Sequence, residues 1–196
     1  MYYVVSNYVK KYYKHVNYIM FMDSQSIGQV GEYLVASHLC RMGFIATTFT
    51  RNMPDFDILA LTKNRDKHLK IQIKTVLNGD WQLSATSLLN IKFNDNNNQI
   101  VQEILGFNES NNADFYIFIR LDKRSKNMEN INLNEISDSF YIVPTNDLKS
   151  IVNKNYGNYL HKKNGVRPSN QKSTHTKVDD KKDLVLFKDR WDLLLQ

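Results

Sequence analysis

Two short apolar runs constrain this chain more than any other feature. The first is Pro54-Asp55-Phe56-Asp57-Ile58-Leu59-Ala60-Leu61, and the second, after a polar turn, is Lys70-Ile71-Gln72-Ile73-Lys74-Thr75. Apolar runs joined by a short connector read as neighbouring strands. Pro54 cannot donate a ladder hydrogen bond, so it belongs at the start of its strand. Side chains alternate between faces, so Asp57 shares a face with Leu59 and Leu61. On the second strand Gln72 and Lys74 point one way, Ile71 and Ile73 the other. If the strands pair as a hairpin, an acid, a neutral oxygen ligand and a lysine converge at one end of the sheet. Such a set can seat one or two divalent cations for phosphodiester cleavage.

These residues resemble the active-site motif of the PD-(D/E)xK nuclease superfamily, which includes many restriction enzymes and archaeal-type Holliday-junction resolvases. Gln72 stands where the family has its second acidic residue, making this a QxK variant. The segment Ile27-Gly28-Gln29-Val30-Gly31-Glu32-Tyr33-Leu34-Val35-Ala36-Ser37-His38-Leu39, followed by Arg41-Met42-Gly43-Phe44, resembles the helix that precedes the first strand in the resolvase-like branch. The resemblance covers roughly residues 24–76.

The resemblance implies a restriction-endonuclease-like α/β fold: a central mixed sheet of four or five strands with helices on both faces. It implies an endonuclease that hydrolyses DNA with Mg²⁺, or with Mn²⁺ as a substitute, and a homodimeric assembly. Asp57 is then the central metal ligand, and Glu32 reaches in from the helix directly or through a metal-bound water. The Gln72 side-chain oxygen and the Ile73 backbone carbonyl complete the donors. Lys74 orients the attacking water and stabilises developing negative charge. Asp55 matches the literal Pro-Asp pair and shares a face with Asp57, so spacing does not decide between them; the position at the strand mouth favours Asp57. Gln72 carries no charge, so cation affinity should fall, by an amount on the order of kcal/mol. Its amide oxygen still coordinates. Two alternatives stay open: a nuclease-fold module that binds nucleic acid or protein without catalysis, and an RNA-cleaving enzyme on the same scaffold.

With 196 residues the chain suits one domain with decorations. Its 26 Lys and Arg against 20 Asp and Glu give a net charge of +6, which favours a polyanionic partner. Cys40 is the single cysteine, so no disulfide framework or zinc cluster can form, and a reducing, cytoplasmic setting is expected. No stretch has the length of a membrane span. Residues 1–22 contain six tyrosines, with Lys10, Lys11 and Lys14 breaking every apolar run, which excludes a signal peptide. An added helix is expected there. His15, His68, His161 and His175 show no metal-ligand spacing, and His38 reads as a partly buried helix residue. The chain has no Gly-rich phosphate loop.

A nuclease-like core is expected over residues 23–152. It begins with a helix over 24–42, with Ser26 and Gln29 as a capping box and Gly43 as terminator. Strands are expected over 44–49, 69–77, 115–121 and 140–144 besides the motif strand, and an amphipathic helix around Gln99 to Leu105. A second helix starts at Asn146 or Asp147 and runs through Val152. Residues 153–182 read as a mobile, basic polar loop. There Lys162, Lys163 and Arg167, with Lys172 and Lys177, can meet phosphates, and Tyr156 and Tyr159 can stack on bases. Lys70 is a further candidate phosphate contact. Residues 183–196, with Trp191, are expected to pack back onto the core.

Overall fold

Strand β3 (His68–Val76) lies in the middle of the sheet, because its side chains serve both faces. Leu69, Ile71 and Ile73 are buried on one side, and the alternate residues Lys70, Gln72 and Lys74 are half-buried on the other. In this computed structural model, which describes residues 22–49, 56–122 and 137–196, β1 (Ile45–Thr48) and β2 (Ile58–Leu61) pair antiparallel on one flank of β3. On the other flank β7 (Phe115–Arg120) runs parallel to β3, and β8 (Ser139–Pro144) closes the five-stranded sheet antiparallel to β7. The result is the mixed α/β architecture expected from the sequence. Four consecutive residues of β7 and four of β8 are buried, the mark of strands covered on both faces.

Helix α1 (Ser24–Arg41) covers the face that carries Ile71, Ile73, Ile117, Ile119 and Ile142. Its buried residues Gly31, Val35 and Leu39 recur every four positions, one stripe of a helix. The N-cap is Asp23, whose carboxylate accepts the Ser26 N–H at 2.7 Å; Ser26 is therefore inside the first turn and is not itself the cap. Gly43, at φ +91°, ends the helix as expected. The C-terminal segment packs on the same face: Leu194 is buried, and the Trp191 ring stacks on His38 at 4.9 Å.

Helix α2 (Thr145–Lys162) covers the opposite face, placing Leu148, Val152, Tyr156 and Leu160 against Tyr116, Phe118, Tyr141 and Val143. Two small ribbons border this layer. Strands β5 (Leu89–Asn96) and β6 (Gln99–Phe107) form a hairpin, and β4 (Trp81–Ser84) pairs with β9 (His175–Val178).

Two expectations are corrected here. Gln99 to Leu105 is not a helix but part of β6, because Asn97 and Asn98 take left-handed backbone conformations, φ 49° and 66°, and fold the chain back onto β5. Nor does the stretch 153–182 form a mobile loop. Its first part continues α2, since Tyr156 and Leu160 extend the buried stripe of Leu148 and Val152, and a later part is β9. The expected extension at 1–22, apart from Met22, and the Pro54–Asp55 turn lie outside the described residues. Among those described, no helix is long and apolar enough to cross a membrane.

Candidate metal centre

The pairing of β2 with β3 stops at Ile58 opposite Ile71, while β3 runs on to Val76. Among the described residues β2 thus does not pair with β3 from residue 73 onward, and Asp57 sits at that corner. Its backbone N–H donates to the Ile71 carbonyl at 2.9 Å, holding it one step beyond the ladder. One carboxylate oxygen, Oδ2, accepts the Ile73 N–H at 2.7 Å and also the Gln72 side-chain amide. Asp57 and Gln72 therefore share a face of the hairpin, and Lys74, two residues on, lies close enough for its charge to act on Asp57.

Glu32 approaches from the helical layer. Gly31 is what lets α1 come so near: a Cβ there would meet the Thr75 Oγ1 at 1.9 Å. Glu32 follows it in the chain and lies near enough to Asp57 for their charges to interact. Burial holds its carboxyl above the usual carboxylate range, and the Asp57 charge pushes it further up. Burial likewise raises Asp57, against the opposing pull of the Ile73 N–H, the Lys74 ammonium and the Gln72 amide. Two acids that disfavour their own ionisation beside a lysine make a perturbed cluster of the kind found at functional sites.

The residues fit a hard divalent cation. The donors are the carboxylates of Asp57 and Glu32, an amide oxygen on Gln72 and the Ile73 carbonyl. The carbonyls of Lys70 and Val76 accept from Asp114 and Leu121 on the β7 side. Alternation along β3 therefore turns the Ile73 carbonyl to the β2 side, toward Asp57. Magnesium needs only one or two carboxylates and keeps several waters. Among the described residues no group of three or more His, Cys, Asp or Glu gathers to hold a metal, so a closed zinc-type site is not formed. Gln72 presents its Nε2 to Asp57; coordination by its oxygen requires the amide to turn over, a rotation about the terminal side-chain bond.

The remaining predicted residues distribute as follows. Lys70 shares the Gln72 face but lies nearer the far end of β3. Lys162 and Arg167 line a cavity of about 670 Å³ between α2 and β9. Lys163 is exposed just past the end of α2 and does not line that cavity. Tyr156 is buried, its hydroxyl bonded to Gln102, so it cannot stack on a base. Sequence reasoning missed a neighbouring cavity: Ser84, Asn111 and Tyr116 border, with Gln72 and Lys74, a space of about 300 Å³. Their elements are distant in sequence, and no local spacing points to them. Gln82 lines both cavities.

No family model matches the chain, and neither does any curated protein sequence. Among solved structures, the chain is similar to a bacterial homing endonuclease, I-Ssp6803I, at 14% identity, with 89% of this chain and 95% of that one covered and a TM-score of 0.45. At that similarity the comparison carries no functional weight, and the reading of the site rests on its own geometry.

Proposed function

We propose that the chain is a metal-dependent endonuclease that hydrolyses DNA phosphodiester bonds. The observation behind this reading is the Asp57–Gln72 contact at the corner where β2 stops short of β3, with Lys74 and Glu32 near enough for their charges to interact with Asp57. Asp57 and Glu32, with the Ile73 carbonyl and the Gln72 oxygen, hold Mg²⁺, with Mn²⁺ as a substitute. A bound cation supplies a more acidic water and charge neutralisation at the phosphate. Lys74 places its ammonium where negative charge grows on the phosphoryl oxygens, and so favours the transition state over the ground state. The Ile73 N–H holds the Asp57 carboxylate in place, and the Gln72 amide turns over to present its oxygen when a cation binds.

One observation favours a second reading. The Gln72 amide donates its Nε2 to the Asp57 carboxylate, a contact that suits a nuclease-fold binding module that has lost catalysis. Purified protein incubated with linear, supercoiled, branched and single-stranded DNA, and with RNA, separates the two. Cleavage of a DNA substrate that requires Mg²⁺ or Mn²⁺ is expected. Binding without cleavage, with activity gained in Gln72→Glu, would assign the chain to the module; preferential cutting of RNA would change the substrate.

A further inference from the structure

We propose that the cavity of about 670 Å³ between α2 and β9 seats the sugar-phosphate backbone of DNA flanking the metal corner, and that it engages phosphates, not bases. The identity of the partner rests on the nuclease reading above. The cavity itself is a separate structure, and Gln82 lines both it and the smaller cavity bordered by Gln72 and Lys74.

Four cations line it: Lys162, Arg167, Lys177 and Lys182. The two carboxylates in the wall are already engaged. Asp179 accepts the backbone N–H groups of Lys181 and Lys182 at 2.9 and 2.8 Å. Asp183 accepts Asn155 Nδ2 and the Asp179 N–H at 2.9 and 3.0 Å. Lys177 pairs with Asp80 at 3.4 Å, an exposed contact that a phosphate can replace. Among the described residues Lys162 and Lys182 have no carboxylate partner. The cavity thus offers a surplus of positive charge to an anion.

Arg167 is the organising group. Its Nη1 donates to the His175 carbonyl at 2.9 Å, and its guanidinium lies 4.8 Å from the Tyr159 ring centre and 5.9 Å from that of Tyr156. Two independent anchors fix the fork, and its remaining N–H donors suit the oxygens of a phosphate. The same stacking occupies the tyrosine faces, which removes them as platforms for bases. Recognition here is therefore by charge and is independent of sequence.

The test uses Asp57→Asn protein in chelator, so that binding is read without cleavage. Affinity for a DNA duplex is measured across a salt series. Each phosphate contact contributes a slope of about 0.9 in log affinity against log salt for duplex DNA. Lys162→Ala with Lys182→Ala should lower the slope by about 2, and adding Arg167→Ala should bring the loss to about 3. The double variant leaves the Arg167 anchors intact and guards against misfolding of the triple. The affinity loss should be equal on duplexes of unrelated sequence. An unchanged slope overturns the proposal, as does the same loss from Lys63→Ala with Arg65→Ala in the distant β2–β3 turn. A sequence-dependent loss contradicts the phosphate-only seat, and tighter binding of duplex RNA contradicts the choice of partner. Should the slope fall as expected while the parent cuts nothing, the nuclease reading fails and the phosphate seat stands.

Discussion

Asp57 and Gln72 face each other one step beyond the last laddered pair of β2 and β3, and the Gln72 amide donates to the Asp57 carboxylate. This contact, with the Ile73 N–H bond to the same oxygen, holds the acid in place.

Burial raises the proton affinity of Asp57, and burial with the Asp57 charge raises that of Glu32. Just above the ordinary carboxylate range, the folded protein then keeps protons that the unfolded chain has released. Stability therefore falls as pH rises through that window. Asp57→Asn should raise the melting temperature of metal-free protein at neutral pH, and the gain should vanish below the ordinary carboxylate range. Mg²⁺ should raise the melting temperature of the parent but much less that of the variant. Thermal melts at a series of pH values, with and without Mg²⁺, measure both.

Gln72→Glu brings a further negative charge against Asp57. Without cation the variant should melt a few degrees lower at neutral pH, since like charges held together are unfavourable. With Mg²⁺ the order should reverse, because the cation gains a charged ligand. Calorimetric titration should show tighter Mg²⁺ binding than in the parent; equal affinity would mean that residue 72 does not touch the ion.

Gly31→Ala tests how α1 is seated. Its Cβ meets Thr75 Oγ1 at 1.9 Å and Ile119 Cδ1 at 3.0 Å. Overpacking of this kind costs about 1–3 kcal/mol, on the order of 2–10 °C in melting temperature for a chain of this size. Thr75→Ala should recover part of that loss, and the recovery is readable as coupling in a double-mutant cycle. Independent, additive effects would show that α1 does not rest on β3 at this point.

The sheet and the meeting of Asp57 with Gln72 are legible in the sequence because their signals are local. Leu69, Ile71 and Ile73 alternate with Lys70, Gln72 and Lys74, and Val35 and Leu39 keep helical spacing after Gly31. The β5–β6 hairpin was misread because Ile100, Val101, Ile104 and Leu105 also fit one face of a helix. The deciding signal was the Asn97–Asn98 pair, whose left-handed backbone makes a tight turn. In α2, Gly157 sits within the helix, where a Cβ would find only Ile104, at 3.7 Å. The chain leaves the helix later, at Asn164 and Gly165, both at positive φ. The cavity beside Gln72 and Lys74 is not legible in the sequence because Ser84, Asn111 and Tyr116 are joined only by the fold.

Single-turnover cleavage of duplex DNA during Mg²⁺ titration tests the central claim most directly. The parent should cut only when the cation is present. Asp57→Asn should bind DNA and not cut. Lys74→Ala should cut about 10²–10³-fold more slowly with an unchanged Mg²⁺ midpoint, as expected for a group that acts on transition-state charge. Cutting by Asp57→Asn at the parental rate would contradict the assignment of this corner as the catalytic centre.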